Sequence, residues 1–131
     1  MQRIIISGND YRLLEFYFNS QPGIFQTTVG YINEDIKYPK EGDQVSIVAV
    51  EIFYDEKTIS LPQIIKLISE YQSINQEEIT IYYSTDNIKN LLTKALDEIS
   101  NTSLSLEQEK TFYVAEMEFQ NYFERHSSQH Q

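Results

Sequence analysis

"IIISGNDYRLLEFYF", residues 4–18, reads as a strand that turns at Gly8 into a helix. Ile4, Ile5 and Ile6 form a short apolar run of β-branched side chains, the pattern of a buried strand. Asp10 stands where its carboxylate can accept the free N–H groups of a first helical turn. Leu13, Leu14, Phe16, Tyr17 and Phe18 then give the helix a wide apolar face. Enzymes often put a nucleophile at such a junction, because the N-terminus of a helix stabilises an anion. Here the junction offers Asn9 and Asp10, and the chain has no cysteine.

Outward from this unit, Pro22 and Gly23 break the helix, and residues 24–32 are rich in β formers and predict a second strand. Residues 33–43 form a polar loop with Pro39 and Gly42. The strongest strand pattern follows over residues 44–55, with a continuous apolar run at 47–50 expected of a central, covered strand. Ser60 and Gln63 have the spacing of a capping box, with Pro62 tolerated in the first turn. Ile64, Ile65, Leu67 and Ile68 supply that helix with a buried face. Residues 79–84 predict a fourth strand. Residues 85–100 predict a helix with Ile88, Leu91, Leu92, Ala95 and Ile99 on one stripe. A last helix is expected over residues 112–125, and residues 126–131 form a polar tail that frays.

The order β-α-β-β-α-β followed by extra helices predicts an α+β fold. With right-handed crossovers it gives an antiparallel sheet with helices on one face, a ferredoxin-like two-layer sandwich. Residues 1–125 are read as a single domain. An apolar share of 40% in 131 residues is enough for a core without disulfides or metal. Twenty acidic residues against ten basic ones give a net charge of -10, which disfavours nucleic acid and anionic membranes as partners. The N-terminus lacks the apolar length of a signal segment, so the expected location is cytoplasmic.

Candidate chemistry in the residues is sparse. Asp10 is most simply an N-cap, and a catalytic acid or nucleophile is the sharper alternative. Tyr11, Tyr31, Tyr54, Tyr82, Tyr83, Tyr113 and Tyr122 could line a pocket, although core packing is the commoner use of tyrosine. His126 and His130 are four apart, but a polar tail without a third ligand makes a poor metal site. No phosphate loop, Ser-His-Asp set or CxxC is present, and no cofactor is implied.

Taken together, the segments resemble the type A peptide methionine sulfoxide reductase family. "SGNDYRLLEFYF" is similar to the family's Gly-Cys-Phe-Trp-Gly segment and its Glu-bearing helix, matched at Gly8, Glu15 and Phe18. "QPGIFQTTVGY" is matched at Pro22, Gly23, Val29, Gly30 and Tyr31. "AVEIFYDEKTISLPQII" is matched at Ala49, Val50, Tyr54, Asp55, Ile59 and Ser60, and "FYVAEMEFQNYF" at Phe112, Ala115, Glu116, Gln120 and Tyr122.

The resemblance implies a thiolate that attacks the sulfoxide sulfur and a second thiol that resolves the sulfenic acid. It aligns Asp10 with the nucleophile and Val48 with the family's acid. Tyr11 and Arg12 stand in for the aromatic pair that seats the sulfoxide methyl group. Tyr31 matches the family's hydrogen-bonding tyrosine. A loop of the family is missing between Tyr71 and Ile79, and Phe119 replaces its late histidine. The matches therefore sit on scaffold positions and the departures on the site. The expectation is a pseudoenzyme that binds a peptide, a partner protein or a small polar molecule through Asp10, Tyr11, Arg12 and Tyr31. The alternatives are an enzyme with acid–base chemistry at Asp10, Arg12 and Tyr31, or a structural oligomer subunit.

Overall fold

The computed structural model describes residues 2–33, 46–99 and 104–127. Most of the loop expected at 33–43, and His130 with the rest of the tail beyond 127, lie outside the described residues. β1 (Gln2–Ser7) runs into Gly8, and α1 (Tyr11–Asn19) starts under the Asp10 cap. β2 (Ile24–Asn33) and β3 (Ser46–Tyr54) pair antiparallel. α2 (Leu61–Asn75) opens with the Ser60–Gln63 capping box, and β4 (Ile79–Tyr83) follows. α3 (Asp86–Asp97) is capped by Thr85.

The strand order is β5-β4-β1-β3-β2-β6, where β5 is Leu104–Gln108 and β6 is Phe112–Val114. Its inner four strands are mutually antiparallel, which is the ferredoxin-like arrangement expected from the alternation of elements. Ile4 and Ile6 face the main core with Leu14, Phe18, Val50, Ile64, Ile68 and Leu92. Ile5 lies in a second cluster with Ile32, Ala49 and Tyr82. The isoleucine run is therefore covered on both sides, as its unbroken apolar character requires.

Two features differ from expectation. The sheet is mixed, because α3 serves as the crossover to β5, which pairs parallel with β4. Residues 112–125 are not one helix. They form β6, a 3-10 turn (Met117–Phe119) and the short helix α4 (Tyr122–Ser127). Gly30 explains the strand: a Cβ there would collide with the Phe112 ring and the Tyr113 carbonyl, so only glycine admits β6 at this distance. A helix over the same residues would leave the β2 edge unpaired at residues 30–32. α4 continues through His126 and Ser127, so these two belong to the ordered C-terminal segment.

Candidate functional site

The strand-to-helix junction is built around two carboxylates. Asp10 Oδ1 accepts the backbone N–H groups of Arg12 (3.1 Å) and Leu13 (3.3 Å), so it caps α1. Glu77, from the short α2–β4 connection, is buried beside it and accepts the Asn9 N–H at 3.2 Å. Gly8 makes room for this carboxylate, since a Cβ at Gly8 would overlap Glu77 Oε1. Burial pushes the Glu77 carboxyl above the usual carboxylate range. The Asp10 charge adds to the shift and the Asn9 N–H opposes it. The buried Tyr71 hydroxyl approaches Glu77 without closing an ordinary hydrogen bond, and burial raises its pKa as well.

Beside the junction lies a groove of about 500 Å³ lined by Tyr11, Glu118, Phe119, Tyr122, Arg125 and His126. Tyr11 and Phe119 meet edge to face. The His126 ring stacks on Tyr122 at 4.0 Å between centroids. His126 Nδ1 lies 2.7 Å from the Tyr122 carbonyl. The carbonyl can only accept, so Nδ1 carries the proton and Nε2 is left for another group. The Arg12 guanidinium covers the Tyr122 ring at 5.0 Å, and its Nε is 3.5 Å from Asp10 Oδ1. Burial raises the Tyr11 hydroxyl pKa, the Arg12 charge opposes that, and Tyr31 and Tyr122 both contribute.

Tyr31 faces Val48 across β2 and β3, and Tyr113 across β2 and β6. Tyr31 and Val48 both pack against the main core on the side of α1. Of the predicted residues, Asp10, Tyr11 and Arg12 form the junction, Tyr31 comes within electrostatic reach of Tyr11, and the apolar Val48 lies opposite Tyr31. A second hollow, of about 580 Å³ between α2 and α3, is lined by Pro62, Lys66, Glu70, Ala95 and Ile99 among others. It contains none of the predicted residues.

The C-terminal wall of the groove is fastened by two polar side chains, the buried Glu15 and the half-buried Gln120. Glu15 is 1% exposed and accepts the backbone N–H groups of Asn121 and Tyr122. Burial raises its pKa against those two hydrogen bonds, and its Oε2 has no partner. The Gln120 amide accepts the Val29 N–H at 2.7 Å and donates to the carbonyls of Val29 (2.8 Å) and Ala115 (3.1 Å). These ties hold together segments that carry the sequence matches from opposite ends of the chain.

The model of the peptide methionine sulfoxide reductase family matches residues 2–131. The chain belongs to this family. The peptide methionine sulfoxide reductase MsrA of Malacoplasma penetrans is 28% identical over 95% of this chain and 91% of its own length. That of Mycoplasma genitalium is 33% identical, over 53% of this chain and 48% of the relative. Methionine sulfoxide reductase A of Corynebacterium diphtheriae superposes with a TM-score of 0.65 at 17% identity, covering 96% of this chain and 75% of that one. Mxr1 of Saccharomyces cerevisiae, in an unusual oxidized form, gives 0.61 at 20% identity, covering 98% and 83%. At those identities the two structures speak for the fold.

Several residues in and around the groove escape the sequence pattern. Glu77 carries no motif, and only its burial against Gly8 and Asn9 distinguishes it. Glu118 and Arg125 carry no motif, and the polar composition of residues 126–131 places His126 in a tail. A useful signal was the match at Gln120 and Tyr122, which bracketed the segment that forms the wall. Among the described residues, no group of three or more His, Cys, Asp or Glu side chains is arranged to hold a metal ion. No described helix is long and apolar enough to cross a membrane.

Proposed function

We propose that this family member is catalytically inactive and works as a binding module through the corner formed by Asp10, Tyr11, Arg12 and Tyr31. The observation that carries the reading is the complete absence of cysteine from the 131 residues. Family chemistry needs a thiolate that becomes a sulfenic acid, and a carboxylate oxygen has no comparable two-electron oxidation. Asp10, at the position of the nucleophile, is instead engaged with two backbone N–H groups. Val48, at the position of the acid, has no proton to give. The scaffold residues Gly8, Glu15, Gly30 and Gln120 keep structural work that does not depend on turnover. The acid–base alternative is disfavoured by the same cap, which leaves Asp10 poorly placed to exchange protons with a substrate.

A structural role as an oligomer subunit has one observation in its favour. Val114, in the edge strand β6, and Met117, in the turn after it, are 66% and 78% exposed. Light scattering tests it: a stable dimer lost on Val114→Glu supports that role, and a monomer removes it.

The binding reading is tested by titrating N-acetyl methionine sulfoxide amide into wild type and Asp10→Cys, followed by calorimetry or NMR. Saturable binding by wild type, without reductase turnover in excess dithiothreitol, supports a module that retains the site. Turnover by wild type would overturn the inactive reading outright. Absence of binding by either protein would mean the family ligand is not recognised and would move the search to protein partners.

A further inference from the structure

We infer that the groove between α1 and the C-terminal segment recognises an anionic ligand: a carboxylate on an apolar or aromatic stem, as in an acidic peptide. The inference rests on the binding-module reading and gives it a ligand class. The chain has three arginines, Arg3, Arg12 and Arg125. Arg3 is held by Glu51 and Glu109 at a distance from the junction. The other two come to this groove, Arg125 in its lining with one N–H donated to the Glu118 carbonyl, and Arg12 across the Tyr122 ring. His126 contributes a stacked ring face whose Nδ1–H is committed to the Tyr122 carbonyl. In a chain of net charge -10 the two guanidiniums are a local concentration of cationic donors.

Carboxylates flank the two guanidiniums: Asp10 accepts two backbone N–H groups and pairs with Arg12 over the ring, Glu118 lines the groove, and the buried Glu15 lies within electrostatic reach of Arg125. More distant acidic residues are screened over roughly 8 Å at physiological salt. A guanidinium presents a planar set of donors that matches a carboxylate, and Arg12 is pre-oriented by its stacking. Tyr11 and Phe119 supply apolar surface for the stem, and about 500 Å³ is room for one or two side chains. A cationic ligand fits less well: the Tyr122 ring already carries both Arg12 and His126, and a second cation would meet Arg12 and Arg125.

The test uses three dipeptides, acetyl-Glu-Phe-amide, acetyl-Gln-Phe-amide and acetyl-Lys-Phe-amide, titrated into the wild-type protein and Arg12→Gln with NMR detection. The Glu peptide should bind at least about tenfold more tightly than the Gln peptide, the range of charge-assisted pairing. Its shifts should centre on Tyr11, Phe119, Tyr122 and His126. The preference should shrink as salt rises from about 0.05 to about 0.5 M. It should collapse in Arg12→Gln, whose fold is verified by its unfolding transition and amide spectrum. Equal binding of the Gln peptide, or tighter binding of the Lys peptide, overturns the anionic class and leaves the binding-module reading standing. So does a preference that survives in folded Arg12→Gln. Failure of all three peptides also overturns the ligand class, and the sulfoxide titration then judges the module reading independently.

Discussion

Replacing Gln120 probes how the groove wall is attached to the sheet. Its amide bonds only to main chain: the N–H and carbonyl of Val29 and the carbonyl of Ala115. β6 pairs with β2 at residues 30–32 and the Ala115 N–H continues to the Val29 carbonyl, so the Gln120 side chain completes that edge at the Val29 N–H. Each such bond contributes about 0.5–1.5 kcal/mol net, so Gln120→Ala should cost roughly 2–4 kcal/mol. At on the order of 4 °C per kcal/mol for a chain of this size, the thermal midpoint should fall by roughly 8–16 °C. Gln120→Glu is more diagnostic. A protonated carboxyl can accept from the Val29 N–H and donate to one carbonyl, whereas an ionised one sets an oxygen against two carbonyls. The folded pKa of the new carboxyl is therefore raised. Its stabilising contribution is full below the unfolded value of about 4.3 and is lost as pH rises through the folded value. Urea unfolding of both variants at about pH 4 and about pH 7 gives the answer. The Glu variant should be near wild type in acid and no better than the Ala variant at neutral pH. A Gln120→Ala loss below about 0.5 kcal/mol, or a Glu variant without pH dependence, would refute the argument.

Glu15→Gln should keep the acceptor for Asn121 and Tyr122 while removing the penalty of a buried charge. Because the folded pKa of Glu15 is raised, wild type loses stability relative to this variant as pH climbs from about 4 through the folded value, measurable by denaturation across that window. Gly30→Ala should cost about 1–3 kcal/mol through overpacking against Phe112 and the Tyr113 carbonyl, and should speed amide exchange in β6 before the rest of the sheet. Asp10→Cys should lose about 1 kcal/mol of capping and gain no reductase turnover. Adding Glu77→Gln to that variant should lower the thiol pKa, read from the pH dependence of iodoacetamide alkylation, by roughly 0.5–1 unit because it removes a neighbouring carboxylate.

The inner sheet was legible because its signals are local. Three adjacent isoleucines, the apolar run before Tyr54, and the Asp10 and Ser60 caps each report their own few residues. Alternation of strand and helix then leaves few topologies. The C-terminal segment was not legible in the same way. Residues 112–114 become a strand because Gly30, more than eighty positions earlier, lacks a side chain. Residues 104–108 become an edge strand because α3 returns the chain beside β4. The site divides along the same line. Asp10, Tyr11 and Arg12 are adjacent in sequence and could be named together. Glu77, Arg125 and His126 enter only when α2, α4 and the junction meet.

By itself the sequence determined that this is an α+β chain with a capped strand-to-helix junction and no thiol, since periodicity, caps and composition act over short range. Only the tertiary structure decided that a buried carboxylate from Glu77 lies against that junction and that two arginines and an imidazole meet an aromatic groove beside it. Those outcomes depend on which backbones approach closely enough to share desolvated polar groups. That is a property of packing between distant segments, and no local pattern encodes it.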